Sequence, residues 1–429
     1  MEMQKRQRIL LIQPENLEIH QFRRRQFNNF AQITMPYLAA FVDESRYDIT
    51  LVDEYNQMIP YHVPFDLVAA TVNTANAPHC YEISRIFREK GAKVVFGGPH
   101  ATLLPEEAGQ HCDTLLIGEG EEIWPQFLKD FAGGKDRARY VSQGPPELAN
   151  LPMPRWDLLK RRTILKKGAV FATRGCPYHC RYCNLKQIYH DCLRTRPVPE
   201  VIAEIQVMKS GHFVFWDDNF FANAEYAMEL MRAMKPLRKR WAAQVTLADC
   251  ANEELLRAAR ESGCLYLFIG LESFSDASLA DAGKRINRID EYEKIIQALH
   301  RHRIMIQAGI IFGFDSDTTA VFQDTLRACE RLGIDGATVS ILTPLPRTPI
   351  HEQMIREGRL ISEDWSWYDG KTRVAFTPKK MTPEQLYAGY MDFRHRFYSL
   401  PSFFRRMRVS RTHILYNLFM NFGYRLSIR

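Results

Sequence analysis

The sequence of 429 residues lacks several features that mark large classes of proteins. No apolar run is long enough to span a bilayer, and the N-terminus lacks the apolar core of a signal peptide. The chain has no internal repeat and no low-complexity tract. We therefore expect a cytoplasmic, globular chain of two or three domains rather than a secreted or membrane-spanning protein.

The chain also lacks a disulfide framework, because its nine cysteines do not follow the spacing of one. Three of them, Cys176, Cys180 and Cys183, follow a short apolar run, residues 169–173, that we predict to be a buried strand. Because no second cysteine pair follows at zinc-finger spacing, a structural zinc site is the weaker interpretation. Thiolates ligate iron–sulfur clusters, and three of them leave one iron of a four-iron cluster open. We interpret the other six cysteines as buried small apolar residues: Cys80, Cys112, Cys192, Cys250, Cys264 and Cys329.

The first third of the chain alternates apolar runs with helical patterns, which predicts an α/β fold with a doubly wound, Rossmann-like parallel sheet. The predicted strands are residues 8–13, 47–52, 66–71, 93–96 and 114–117. Ligands of such sheets bind at the carboxyl ends of the strands. The candidate ligand-binding residues at those ends are Asn73, Thr74, Gly97, Gly98, His100, Gly118 and Glu119. No Gly-x-Gly-x-x-Gly follows the first strand, so a dinucleotide is disfavoured, and the remaining alternative is that these are turn residues only.

A proline-rich stretch, residues 144–154, has the composition of a linker. It precedes six strand–helix units with predicted strands at residues 169–173, 212–217, 243–247, 265–270, 305–312 and 337–342. Such a pattern predicts a partial (β/α)6 barrel of TIM type, whose active residues lie at the carboxyl ends of the strands. The polar residues and glycines at those ends are Asp217, Asp218, Gln244, Glu272, Gly309 and Gly313. For Asp218 a helix N-cap and for Gln244 a solvent-facing side chain remain as alternatives.

The cysteine spacing, with Tyr182 just before the last cysteine, resembles the motif of the radical SAM superfamily. The resemblance implies that the open iron binds S-adenosylmethionine (SAM), which the reduced cluster cleaves to a 5′-deoxyadenosyl radical. It also implies that Asp217 and Asp218 lie near the amino group of the methionine, that Gln244 approaches its carboxylate, and that Glu272 reaches the ribose. The strand that carries Gly309 and Gly313 is similar to the one that packs against adenine. In the loop of residues 343–349, Arg347 stands where the family has glycine.

The glycine-rich strand ends at Gly97, Gly98 and Gly118 resemble the cobalamin-binding domain that precedes many radical SAM domains. The resemblance implies that Asn73, Thr74, His100 and Glu119 also contact cobalamin. The sequence lacks the Asp-x-His-x-x-Gly motif that supplies a cobalt ligand in other cobalamin proteins. We therefore expect no histidine on cobalt, with His100 at the cofactor edge or, alternatively, capping a turn.

The predicted organisation is a cobalamin-binding domain over residues 1–143, a linker over 144–165, a radical SAM barrel over 166–380 and a helical region over 381–429. From residue 401 onward the chain has six arginines and no Asp or Glu, with apolar residues at helical spacing between them. This tail is predicted either to pack its apolar face on the barrel or to touch an anionic membrane or a lipid-like substrate as a basic amphipathic segment. Nucleic-acid binding is not expected, because the charge belongs to no known nucleic-acid-binding module.

The resemblance implies C-methylation of an unactivated carbon through methylcobalamin, with a small-molecule or lipid-like substrate and a reductant such as flavodoxin or ferredoxin. One alternative is a ring-forming or ring-rearranging oxidation with the same cofactors and no methyl transfer. Methylthiotransfer to RNA would need a further set of three cysteines, and a non-catalytic corrinoid carrier would leave the cysteine motif without a role. The sequence assigns no residue to the hydrogen-transfer step itself.

Overall fold

The computed structural model describes residues 6–19, 32–160 and 168–428. The described residues form two compact units. The first contains residues 6–19, 32–160 and the short segment 364–369, and the second contains residues 168–363 and 370–428. The segment 364–369 thus follows the barrel in sequence and belongs to the first unit in space.

The first unit is a six-stranded, wholly parallel sheet in the order β2-β1-β3-β4-β5-β6. Its strands are β1 Gln7–Gln13, β2 Tyr47–Asp53, β3 Leu67–Thr71, β4 Lys93–Gly97, β5 Thr114–Ile117 and β6 Arg139–Val141. Its helices are α1 Thr34–Ala40, α2 Ala77–Glu89, α3 Pro99–Leu103, α4 Pro105–Ala108 and α5 Gly120–Ala132. The doubly wound sheet is confirmed. Strand β6 was not predicted, because it is a three-residue edge strand with only its middle residue, Tyr140, buried.

The second unit is a partial barrel of six parallel strands in the order β14-β13-β12-β11-β10-β7. These are β7 Gly168–Val170, β10 His212–Phe215, β11 Arg240–Val245, β12 Cys264–Glu272, β13 Met305–Phe312 and β14 Gly336–Ile341. The helices that follow these strands along the chain are α6 Leu185–Tyr189, α7 Val198–Val207, α8 Ala224–Met234, α9 Glu253–Ser262, α10 Asp276–Asp281, α11 Ile289–Arg301, α12 Val321–Leu332 and α13 Pro349–Arg356. This confirms the predicted partial barrel.

The strand predicted over residues 169–173 is shorter in the structure, where β7 ends at Val170. Residues Thr173–Arg174 form a separate strand, β8, that pairs antiparallel with β9, Arg194–Thr195. The chain therefore leaves the barrel sheet before it reaches the cysteines. The β8–β9 pair closes the base of the loop that carries them.

Three further helices complete the second unit: α14 Pro383–Phe397, α15 Leu400–Ser410 and α16 Ile414–Ser427. Arg406 of α15 is fully buried and donates hydrogen bonds to the carbonyl oxygens of Ile334 and Asp335 at 2.7 and 2.8 Å. These bonds fix the tail on the loop before β14. Across the described residues, no helix is long and apolar enough to cross a membrane.

Candidate functional site

The cysteine loop is built on a glycine turn. Gly175 has φ +93°, and a Cβ there would overlap the carbonyl oxygen of Cys192. Its N–H donates to Asp218 Oδ2 at 2.8 Å, and the N–H of Cys183 donates to the carbonyl oxygen of Cys180 at 3.1 Å. The loop is therefore tied to the end of β10 and turned back on itself, which brings its three thiols to one place.

Cys176, Cys180 and Cys183 line one cavity of about 260 Å³ at the carboxyl ends of the barrel strands. Burial raises the pKa of Cys176 to about 11 and that of Cys183 to about 12. Within the described residues, no three His, Cys, Asp or Glu side chains converge closely enough to share a single metal ion. Three thiols in one cavity fit the corners of a multi-iron cluster better than a mononuclear zinc site.

Glu272, predicted as a SAM ligand, lies at the end of β12 with φ +63° and lines the same cavity. Its Oε1 accepts hydrogen bonds from the Tyr182 hydroxyl at 2.9 Å and from Lys284 Nζ at 2.6 Å. Gly270 makes room for this pair, because a Cβ there would overlap both Glu272 Oε1 and Lys284 Nζ. Tyr182 thus joins the cysteine loop to the barrel through Glu272.

Lys284 lines the cavity and is only 6% exposed. Burial lowers its pKa and the Glu272 carboxylate raises it, with a net rise, so the ammonium stays charged. Sequence analysis did not identify Lys284, because it follows α10 in a loop and no strand end marks the position. A buried ammonium in this cavity can hold a ligand carboxylate.

The two adjacent carboxylates after β10 have different environments. Asp218 lines the cavity. Asp217 is 4% exposed and does not line it, and its two oxygens accept three bonds of 2.8 Å from the N–H of Ala172, the N–H of Thr173 and Thr173 Oγ1. Burial raises the pKa of Asp217 to about 7. The expectation that Asp217 contacts SAM is not supported by this geometry, since its bonds hold the backbone between β7 and β8.

Gln244 and Gly309 both line the cavity, as predicted for a ligand site. Gln244 is exposed and donates through Nε2 to the carbonyl oxygen of Asp218 at 3.1 Å. A Cβ on Gly309 would lie 3.1 Å from Cζ of Phe268, so a side chain there would push into the cavity wall. Gly313 does not line the cavity. Its φ of +110° and the 2.9 Å from its ideal Cβ to Leu386 Cδ2 show that this glycine allows α14 to pack closely.

The carboxyl edge of the first sheet carries the predicted cobalamin residues. Gly98 has φ +98°, and a Cβ there would lie 2.6 Å from Thr71 Oγ1. Gly118 has φ +97°, with 2.8 Å to Ser142 Cβ. Gly97 has ordinary backbone geometry and 3.6 Å to the nearest atom. At this edge Asn73 is exposed, whereas Thr74 and Glu119 are buried. Two of the three glycines are therefore required by the domain itself, and Gly97 alone has room for a methyl group.

His100 is fully buried and does not lie at an open edge. Its Nε2 is 3.0 Å from the hydroxyl of Tyr81, and its ring packs edge-to-face on Trp365 at 5.5 Å. Trp365, from the segment 364–369, donates to Glu107 Oε1 at 2.8 Å, and the same oxygen accepts from Tyr81. The expectation that His100 touches the cofactor edge is not supported by this packing. Trp365 was not predicted, because it lies far along the chain.

Comparison with known proteins gives two family matches that follow this division. Residues 29–128 match the B12 binding domain, and residues 170–329 match the radical SAM superfamily. Residues 348–418 match a domain of unknown function.

Among curated proteins, the chain is 30% identical over 422 residues to bacteriochlorophyllide d C-12(1)-methyltransferase of Chlorobaculum tepidum, covering 95% of this chain and 91% of that one. It is 24% identical to the anaerobic magnesium-protoporphyrin IX monomethyl ester cyclase of Cereibacter sphaeroides, over 79% of this chain and 61% of that one. Among solved structures, the radical SAM methyltransferase TsrM of Kitasatospora setae, with cobalamin and a [4Fe-4S] cluster bound, superimposes with a TM-score of 0.66 and 16% identity, covering 82% of this chain and 78% of that one. At 16% identity, the similarity to TsrM shows a shared fold only.

Proposed function

The chain belongs to the cobalamin-dependent radical SAM enzymes, and we propose that within this family it is a C-methyltransferase that acts on an unactivated carbon of a small-molecule or lipid-like substrate. The cofactors predicted from the motifs, a [4Fe–4S] cluster, SAM and cobalamin, are confirmed at the level of the family. The observation that supports methylation is the 30% identity to a methyltransferase over 95% of this chain, which includes both units and the tail.

In this proposal Cys176, Cys180 and Cys183 hold the cluster, and the open iron faces the cavity that they line. When bound, the cluster and SAM supply a 5′-deoxyadenosyl radical and cobalamin supplies the methyl group. The task of the chain is to orient these groups and to keep water away from the radical. The largely apolar lining, including Phe268 and Ile310, suits that task.

The SAM site uses four neighbouring residues in this proposal. The Lys284 ammonium neutralises the carboxylate of the methionine and is held in place by Glu272 at 2.6 Å. Asp218 and Gln244, on adjacent strand ends, face the polar part of the same cavity. Gly309 leaves a flat wall against which an adenine can lie. When bound, the cluster would take its electron from a reductant such as flavodoxin or ferredoxin, and the substrate would bind next to the SAM site.

The cobalamin site in this proposal is the carboxyl edge of the first sheet, where Gly97 leaves room and Asn73 is exposed, so both would contact the corrin. Gly98 and Gly118 hold the loops in the left-handed conformation that keeps the edge flat. His100 is buried inside the domain and bonded to Tyr81, so in this proposal it would not ligate cobalt.

A comparison of products tests the function. Lipids and other metabolites are extracted from cells that express the wild-type chain and from cells that express a variant with all three cluster cysteines replaced by alanine. Mass spectrometry should show a product heavier by one methyl group only with the wild-type chain. If methionine labelled at its methyl group is supplied, the label should appear in that product. A product that depends on the chain and carries no label would contradict methyl transfer.

The second candidate is a ring-forming oxidation without methyl transfer. It is favoured by the 24% identity to a cyclase over 79% of this chain. The same labelling experiment distinguishes the two, because a cyclase changes the mass of its substrate by hydrogen or oxygen atoms and leaves the methyl label in methionine.

A further inference from the structure

In the last helix, α16, asparagines lie on the buried face and large apolar side chains are exposed, which is the reverse of an ordinary surface helix. Its buried face carries Asn417 and Asn421, which are 2% and 5% exposed. Asn417 Nδ2 donates to Asp335 Oδ1 at 2.8 Å, and Asn421 Nδ2 donates to the carbonyl oxygen of Asp335 at 3.0 Å. The predicted packing of Leu415, Leu418 and Phe422 on the barrel is therefore wrong, since they are exposed, although Met420 and Tyr424 of the same helix pack inward beside the asparagines.

The apolar residues of α16 point outward. Leu415 is 84% exposed, Phe422 57%, Ile414 52% and Leu418 45%. At about 100° per residue these positions fall on one continuous stripe along the helix. Phe419, at 46% exposed, lies on the same side. Large apolar side chains grouped on a surface mark an interaction site, whereas scattered ones do not.

The buried face leaves no freedom to rotate the helix. Asp335 is 2% exposed and accepts hydrogen bonds from Ser410, Thr412 and Asn417 at 2.5 to 2.8 Å. A rotation of α16 that buried Leu415 and Phe422 would break the bonds from Asn417 and Asn421 to Asp335 and leave buried amide groups without those partners, at a cost in free energy. The outward stripe is thus held outward by the polar network beneath it.

The charge of the residues beside the stripe indicates which kind of partner binds there. Arg408 and Arg411 are exposed at the end of α15, and within the described residues neither pairs with a carboxylate. No Asp or Glu occurs between residues 401 and 429. In a symmetric dimer formed through this face, like charges would meet across the interface. An anionic lipid surface offers acyl chains to the stripe and phosphates to the arginines.

We propose that the outward stripe of α16, flanked by Arg408 and Arg411, docks the enzyme on an anionic membrane surface. The helix lies flat, with Leu415, Leu418 and Phe422 in the boundary between headgroups and acyl chains. Its buried asparagines remain in contact with the barrel. The inference rests on the tail alone and does not depend on which reaction the enzyme performs.

Vesicle flotation of the full-length holoenzyme tests this docking. Wild-type protein should float with vesicles of mixed phosphatidylglycerol and phosphatidylcholine and bind pure phosphatidylcholine much more weakly. Leu415→Ser, Leu418→Ser and Phe422→Ser together should lower the affinity for the anionic vesicles by ~10-fold or more. Arg408→Gln with Arg411→Gln should abolish the preference for anionic lipid.

A matched control removes exposed apolar residues elsewhere in the second unit: Val207→Ser, Ile355→Ser and Ile361→Ser, which are 63, 55 and 45% exposed in the wild type. This variant should bind vesicles as the wild type does. Iron content and thermal unfolding check that both triple variants are folded.

Equal vesicle binding by the wild type and the α16 variant would overturn the proposal. So would wild-type protein that fails to bind vesicles and sediments as a dimer that the α16 substitutions dissociate, because the stripe would then be an interface between two copies.

Discussion

Lys284 Nζ lies 2.6 Å from Glu272 Oε1, and both side chains are at least 90% buried in the wall of the cavity that holds the cysteines. Two opposite charges taken out of water are stable only when they remain paired. The ammonium still has two N–H bonds to offer, which leaves it able to accept the carboxylate of a ligand without giving up Glu272.

Lys284→Met should weaken SAM binding by ~10-fold or more, because the ligand carboxylate loses a charged partner. It should also lower the free energy of unfolding by about 3 kcal/mol, since Glu272 is left buried and unpaired. Calorimetry gives the affinity and thermal unfolding the stability. Adding Glu272→Gln should restore part of the stability and none of the affinity. Full SAM affinity in Lys284→Met would show that the pair is structural.

Replacing Cys176, Cys180 and Cys183 together by alanine should remove the iron–sulfur cluster and the formation of 5′-deoxyadenosine. Iron and sulfide content and the visible absorption of anaerobically reconstituted protein measure the cluster. Cys192→Ala is the matched control, because Cys192 is also partly exposed and its carbonyl oxygen lies against Gly175 of the same loop. A normal cluster in the triple variant, or its loss in Cys192→Ala alone, would contradict the assignment.

Substitutions of the adjacent residues Asp217 and Asp218 should have different effects on stability and on SAM affinity. Asp217→Asn replaces a carboxylate that accepts three bonds, so it should destabilise the fold by about 1–3 kcal/mol and leave SAM affinity within about twofold. Asp218→Asn should weaken SAM binding and change the stability less. Thermal unfolding and calorimetry on both variants decide this. A larger loss of SAM affinity in Asp217→Asn than in Asp218→Asn would reverse the two roles.

The fold and the meeting of the three cysteines in one cavity were predictable because they depend on local pattern. Continuous apolar runs such as residues 305–312 predict a buried parallel strand, and the structure has β13 at Met305–Phe312. The spacing of the cysteines is a local pattern too, and it predicts that their thiols share one ligand site.

What could not be predicted depends on contacts between residues that are far apart in sequence. Whether Asp217 or Asp218 faces the cavity depends on which one meets the backbone of Ala172 and Thr173. Lys284 becomes a site residue only because β12 ends beside it. The reversed α16 depends on Asp335, 82 residues before Asn417. Periodicity finds the two faces of a helix and does not tell which one is buried.

Gly97 offers a test of the cobalamin edge that Gly98 does not. Gly97→Ala should leave the domain folded, because its Cβ would meet only ordinary contacts at 3.6 Å, whereas Gly98→Ala should destabilise it. Gly97→Leu should then abolish cobalamin retention and spare the cluster, since the two sites belong to different units. The absorption spectrum of cobalamin after gel filtration measures retention. Full retention in Gly97→Leu would place the corrin elsewhere.

The axial ligand of cobalt gives the sharpest test of the first unit. His100 has no exposed surface, its Nε2 is 3.0 Å from the Tyr81 hydroxyl, and Trp365 packs on its ring. The imidazole can therefore reach a cobalt ion only if these three side chains move apart. Burial also lowers the pKa of His100, which keeps the ring neutral at its place in the core. We expect the dimethylbenzimidazole of cobalamin to be detached with no histidine in its place, so electron paramagnetic resonance of the Co(II) form should show no splitting by an axial nitrogen.

His100→Phe keeps a ring against Trp365 and should leave the Co(II) spectrum unchanged. It should lower the stability of the first unit by about 1 kcal/mol through the lost bond to Tyr81, whose hydroxyl still donates to Glu107. Tyr81→Phe is the control for that lost bond and should cause at least as large a loss of stability, because it also removes the bond to Glu107. A nitrogen-split spectrum that is present in the wild type and Tyr81→Phe and absent in His100→Phe would show that His100 leaves the core to ligate cobalt.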